Sequence, residues 1–377
     1  MKKKSVAGIL WAILLIITFF SCEDVSVSVN SKGEVAFTRS EGLFIYDLAK
    51  SRLNLLEWNY GNTTIPVIIR WSPNDKSLAF TVRLGQDMQE TEVYFINRDG
   101  TGKKKIYSTE NIISQMEWSP DGKYLSIAQA GADSDMSVAD LGIISVEKGM
   151  SKIIIQNTGD IHEWLDTSTI AYIKINEKNP DNSSLFKGTL SLFQMDTGES
   201  QEISNLIVNK DAEVRVHPVK EEILFTAIKA GEEPFEFEEN MPSEAFVFVI
   251  RPEESALQVS DQSATFVKYS PDGSKVLIKA RENETVNLAL LDIETKAVDV
   301  LVEGITDTIN TNSTEVKTMP AWYDNATVLY WMLSNTYGSS GQAIRLMSFN
   351  MNNLKKVNHQ IVIDTEVNKL VQAKGGY

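Results

Sequence analysis

A six-residue phrase recurs along this chain and constrains its fold more than any other feature. Trp71-Ser72-Pro73-Asn74-Asp75-Lys76 returns as Trp118-Ser119-Pro120-Asp121-Gly122-Lys123 and again as Tyr269-Ser270-Pro271-Asp272-Gly273-Ser274. Each copy leads into a short apolar run: Ser77-Leu78-Ala79-Phe80, Tyr124-Leu125-Ser126-Ile127 and Lys275-Val276-Leu277-Ile278. Looser copies start at Val29, Trp164, Val216 and Trp322. The seven anchors stand at 29, 71, 118, 164, 216, 269 and 322, in steps of 42, 47, 46, 52, 53 and 53 residues. Short strands repeated at this period are the pattern of propeller blades, which cannot bury their faces alone and so stack.

Each unit carries four strand-like runs, in the second unit 67–71, 77–82, 92–97 and 104–107. The Ser-Pro-Asp-Gly phrase is the turn between the first two. Proline presets φ at its second position, Asp suits the third, and Gly takes the fourth. One blade exposes two apolar faces, and closing the stack into a ring leaves only short, protected edges.

The phrase resembles the TolB-like propeller repeat, a cousin of the WD-repeat family. The resemblance spans about residues 25–364 and is strongest at the Trp71, Trp118 and Tyr269 units. It implies an all-β propeller of four-stranded antiparallel blades. Seven anchors predict seven blades, with six, a common number in that family, as the alternative.

Residues 1–21 read as a targeting segment rather than as part of the fold. Lys2-Lys3-Lys4 precedes an apolar stretch from Val6 to Phe20, too short to span a bilayer comfortably. It ends at Ser21-Cys22, and Cys22 is the only cysteine. A small residue before a lone Cys resembles a bacterial lipoprotein box, which implies lipidation at Cys22, residues 22–24 as a short tether, and a membrane-anchored envelope protein. An ordinary cleaved signal and an uncleaved anchor are the competing readings. The domain is expected over 25–364, with 365–377 as a tail. The strand near Val25–Val29 is expected either innermost in the first blade or at the rim of the last.

The net charge of −15 becomes −18 once residues 1–21, with their three Lys, are removed. So acidic a body disfavours nucleic acid and anionic lipid head groups as partners. Enzyme signals are sparse. The three histidines are His162, His217 and His359, and neither H-E-x-x-H nor G-x-S-x-G occurs. A metal held by His162 and His217 is one reading; packing or capping roles are the other. Asp133-Ser134-Asp135 and Asn179-Pro180-Asp181-Asn182 lack calcium-loop spacing and read as solvated turns. No catalytic residue, metal or cofactor is expected.

Two features are left over. The position before each anchor reads Ser28, Arg70, Glu117, Glu163, Arg215, Lys268 and Ala321 around the ring. Isolated buried charges are costly, so Arg70–Glu117 and Glu163–Arg215 are expected as inter-blade salt bridges. The alternative is a polar channel that binds a small polar ligand. The second feature is a set of long insertions predicted to share one face. The longest, 229–244, sets Phe235 and Phe237 among Glu236, Glu238, Glu239 and other acids. Exposed Phe there would anchor a protein partner; tucked onto the blade they would not.

These readings converge on a monomeric, lipid-anchored propeller of the outer membrane. It would act as a non-catalytic scaffold for a protein partner, an integral membrane protein included. The alternative is a glycan-acting or peptide-acting enzyme with its site in the channel mouth.

Overall fold

A computed structural model of the chain describes residues 27–39, 42–47, 50, 52–58, 65–84, 90–130, 138–149, 151–283, 285–305, 308–310, 315–317, 319–337, 341–353 and 360–366. The targeting segment, Cys22 with its tether, Val25, His359, the 131–137 loop and residues 367–377 lie outside these. No helix among the described residues is long and apolar enough to cross a membrane.

The fold is all β. Five separate four-stranded antiparallel sheets each pair their strands in chain order. They run from Val27 to Trp58, Ile65 to Thr109, Val214 to Gln258, Ala264 to Val302 and Ala321 to Glu366. Between the second and third of these lies one eight-stranded sheet. Thr308–Asn310 and Glu315–Lys317 add a two-stranded ladder. The four runs expected in the second unit appear as Ile65–Trp71, Ser77–Leu84, Glu90–Asn97 and Lys104–Thr109. The last strand, Gln360–Glu366, crosses the boundary expected at 364.

Seven separate blades were the sequence expectation, and the ladders differ from it. The eight-stranded sheet forms because Ser151–Trp164 runs for 14 residues as one strand. Its first half pairs with Ala139–Ser145 and its second with Thr169–Lys178. Register breaks between Thr158 and His162, just after Asn157 at φ 55°. No loop separates the two halves, so the hydrogen bonding never stops.

First strands succeed one another around the centre. Val27–Val29 packs beside Ile65–Trp71, then come Ile112–Trp118, Ser151–Trp164, Val214–Val216 and Ala264–Tyr269, and Ala321–Trp322 returns to Val27–Val29. Val27–Val29 pairs with Glu34–Arg39, which settles its place as the inner strand of the first sheet. The last sheet draws all four strands from the C-terminal segment, so among the described residues no strand is exchanged at the seam. The seam closes by packing instead: a Cβ added to Gly33 would collide with Tyr323 Oη.

Between sheets the core is apolar. Ala36, Leu43, Ile69, Trp71, Leu78 and Phe80 form one cluster across the first boundary. Each fully buried side chain of this size contributes about 1.5–3 kcal/mol. The recurring phrase is the turn it was expected to be. Backbone N–H groups of Asp75, Gly122 and Gly273 return to Ser72, Ser119 and Ser270 at 2.9, 2.9 and 2.8 Å. The fourth position is left-handed in all three, at φ 55°, 71° and 73°. Asp75 accepts there a conformation that Gly adopts freely.

Candidate functional site: a ring of charges in the channel

The site begins with strand alternation. In each inner strand the residue before the anchor points away from the packed face, because successive side chains alternate. Ile69 and Trp71 are buried around Arg70, Met116 and Trp118 around Glu117, His162 and Trp164 around Glu163, and Val267 and Tyr269 around Lys268. Arg70, Glu117, Glu163, Arg215 and Lys268 therefore face one central space, and the other four all act electrostatically on Lys268.

The anchors hold the ring in place. Trp118 Nε1 donates to the carbonyl of Arg70 at 3.1 Å, and Trp322 Nε1 to that of Lys268 at 3.3 Å. Gln115 braces the next boundary, its amide oxygen accepting from His162 N at 2.8 Å and its amide nitrogen donating to His162 O at 3.1 Å.

One expected pair forms. Arg70 Nε donates to Glu117 Oε1 at 2.9 Å, with both side chains 28% exposed. Burial pulls the Glu117 carboxyl upward, but Arg70 and Lys268 outweigh it and hold it below its ordinary value. The other expected pair, Glu163–Arg215, does not meet as an ion pair. Arg215 Nη2 instead salt-bridges Glu213. Glu213 is two residues away along the chain, buried just before the inner strand Val214–Val216. Glu163 Oε2 accepts the backbone N–H of Val216 at 2.5 Å. Burial pushes the Glu163 carboxyl up, with Arg215 and Lys268 opposing.

Lys268 differs from the rest. Its side chain stands on the channel side of the ring, exposed to water and within electrostatic reach of the other four, and no hydrogen bond or ion pair joins its ammonium among the described residues. Burial and then Arg215 push it below the ordinary lysine range. Water therefore reaches Lys268 and the partly exposed Arg70–Glu117 pair, and screens them.

The two described histidines are buried and hydrogen-bonded within the fold. His162 is 1% exposed, with Nε2 2.8 Å from Ser126 Oγ, and burial lowers its pKa to about 4. His217 Nδ1 accepts the backbone N–H groups of Val219 and Lys220 at 3.0 and 2.9 Å, and its ring packs edge-on to Tyr269. No group of three potential metal ligands occurs among the described residues. Asn179 Oδ1 accepts the N–H groups of Asp181 and Asn182, a local turn that occupies a supposed calcium-loop oxygen.

The long insertion is folded. Lys229–Gly231 pairs with the edge of Glu199–Asn209, extending the eight-stranded sheet. Phe235 and Phe237 are half-buried against Leu185, Ile207, Ile228 and Met241, so neither is the free aromatic anchor that the sequence allowed. Lys187 lies 4.8 Å above the Phe237 ring and pairs with Glu236 at 2.8 Å; Lys229 pairs with Glu238. Glu232, Glu233, Glu236, Glu238 and Glu239 stay exposed. A separate groove of about 670 Å³, lined by Lys123, Tyr124, Lys148, Lys152 and Phe193 among others, contains no member of the charge ring.

Sequence reasoning missed Glu213, Gln115 and the cross-boundary indole bonds. Glu213 had a readable signal, because it is an acid only two residues before Arg215. The indole bonds had none, because their acceptors are backbone carbonyls of a different repeat.

No protein-family model matches the chain. Among solved structures it is similar to TolB from Acinetobacter baumannii, at 13% identity and TM-score 0.50, covering 90% of this chain and 81% of that one. It is similar to the β-propeller domain of the Trilobed protease from Pyrococcus furiosus, described as having an open velcro topology, at 14% identity and TM-score 0.59 over 88% and 93%. It is also similar to an oligogalacturonate lyase in complex with manganese, at 12% identity and TM-score 0.60 over 90% of each chain. At such identities these likenesses speak for architecture alone, and with the repeat, the ring of inner strands and the unexchanged seam they establish that the fold is a TolB-like β-propeller.

Proposed function

We propose that this protein is a lipid-anchored, TolB-like propeller of the bacterial outer membrane that works as a non-catalytic binding module for a protein partner. The observation that carries the reading is the folded insertion at 229–244. Its two Phe and its Lys187 and Lys229 pairs make a fixed platform rather than a mobile loop, and its exposed carboxylates suit a partner with a basic face. The eight-stranded sheet counts in this reading as two blades joined through Ser151–Trp164, for seven in all. Cys22 carries the anchor, and the partner lies in the same envelope. To test it, the lipidated wild type and a Glu233→Lys/Glu239→Lys variant are captured from solubilised envelope and the co-purifying proteins identified. A partner held by the wild type and lost by the variant supports the reading; identical profiles remove the platform from it. Fatty-acid labelling that disappears in Cys22→Ser supports the anchor, and equal labelling removes it.

One observation favours an enzyme instead. Glu117 and Glu163 share the channel with their carboxyls shifted in opposite directions, down and up, as a base and an acid would be. Release of products from envelope glycans or peptides, abolished by both Glu117→Gln and Glu163→Gln, would establish that reading over the binding module.

A further inference from the structure

The channel ring spends its charges unevenly. Arg70 is engaged by Glu117, and Arg215 by Glu213. Glu163 is held by the Val216 amide. Lys268 remains, an ammonium with no partner among the described residues, exposed to water inside the ring and in the field of two guanidiniums. Its backbone is pinned by Trp322 and its neighbours Val267 and Tyr269 are buried, so the side chain is presented from a rigid strand. An unpaired cation beside like charges gains from any anion that enters, and it holds that anion more strongly in an enclosed space than at the outer surface. Arg215 adds to this, because its Nε is buried without an acceptor.

We propose that the central channel is a binding site for a small oxyanion-bearing molecule, a carboxylate or a phosphate, seated on Lys268 within the field of Arg70 and Arg215. The three nearby carboxylates, Glu117, Glu163 and Glu213, limit how much negative charge the site accepts. They favour a ligand with one oxyanion and several hydrogen-bond donors over a polyanion. With a net charge of −15 the molecule repels anions in general, so binding there is a local property of the ring and independent of the acidic platform at 229–244.

The test uses the full chain in detergent and three probes: gluconate, inorganic phosphate and uncharged glucose. Calorimetry is expected to show binding of gluconate or phosphate and none of glucose, which separates a carboxylate source from a phosphate source. Lys268→Gln should weaken that binding about tenfold or more, the worth of one charge-assisted hydrogen bond, while Lys268→Arg keeps most of it. Since Lys268 is exposed and makes no hydrogen bond, Lys268→Arg should unfold at the wild-type temperature, and Lys268→Gln, which removes a charge near Glu117 and Glu163, within a few degrees of it. A second readout needs no variant. The bound probe should slow acetylation of Lys268 several-fold relative to Lys123, read by mass spectrometry. The proposal is overturned if neither anion binds at millimolar concentration, if Lys268→Gln binds as tightly as wild type, or if Lys268 gains no protection.

Discussion

Trp118 donates its indole N–H to the carbonyl of Arg70 at 3.1 Å, and the Arg70 guanidinium returns across the same boundary to Glu117, beside that Trp, at 2.9 Å. One residue of the repeat thus locks the backbone and its neighbour locks the side chain. The anchor that builds the stack also aims the charge that lines the channel.

The Arg70–Glu117 bond predicts coupling of a modest size. Both side chains are 28% exposed, so water screens them and their interaction should be worth about 1 kcal/mol rather than the several expected of a dry pair. Arg70→Ala, Glu117→Ala and the double variant, unfolded in urea, should show that non-additivity. Additive losses would mean that the two do not interact in solution.

Glu213 should matter more than Glu163. Arg215 and Glu213 are 11% and 2% exposed, so Glu213→Ala strands a largely buried guanidinium and should cost roughly 3 kcal/mol. Glu163→Gln keeps an oxygen for the Val216 amide and should cost under about 1 kcal/mol. The reverse order in chemical denaturation would restore Glu163 as the true partner of Arg215.

His162 predicts an acid-sensitive core. Burial lowers its pKa from 6.5 to about 4, so between those values the unfolded chain binds the proton and the folded one does not. Stability from this residue is complete above pH 6.5 and is lost as pH falls toward 4, by roughly 3 kcal/mol in all. Thermal melts of wild type and His162→Gln at several pH values should converge toward pH 4. A parallel pair of curves would show that His162 does not titrate in this window.

Gly33 and Gly198 share a left-handed backbone, at φ 75° and 74°, but not their surroundings. A Cβ at Gly198 meets nothing within 4 Å, whereas at Gly33 it collides with Tyr323 across the seam. Gly198→Ala should therefore cost about 1–2 kcal/mol, the penalty of the conformation alone. Gly33→Ala should cost clearly more, and Tyr323→Ala should relieve the excess. Equal losses for the two glycine variants would show that Tyr323 does not press on Gly33 at the seam.

Much of the architecture was legible from spacing and local chemistry. The anchors located every inner strand. The Ser-Pro-Asp-Gly phrase specified its own turn, because proline, a short acceptor and a left-handed fourth residue act within six positions. Strand alternation alone placed Arg70, Glu117, Glu163, Arg215 and Lys268 on the channel side.

Partner choice within the channel was decided by the tertiary structure. Sequence spacing allowed Glu163 to meet Arg215, but the guanidinium pairs with Glu213, buried just before the same inner strand. Local pattern likewise left Phe235 and Phe237 open to either role, and the pairing of Lys229–Gly231 onto a neighbouring sheet edge brought them onto Leu185 and Met241. The run from Ser151 to Trp164 carries nothing that marks it as one strand, since its two halves are defined by partners on opposite sides. Repeats and turns are short-range properties that a chain of residues can encode by itself. The ion pairs, the seam at Gly33 and Tyr323, and the unspent ammonium of Lys268 depend on which blades become neighbours, and only closure of the ring determines that.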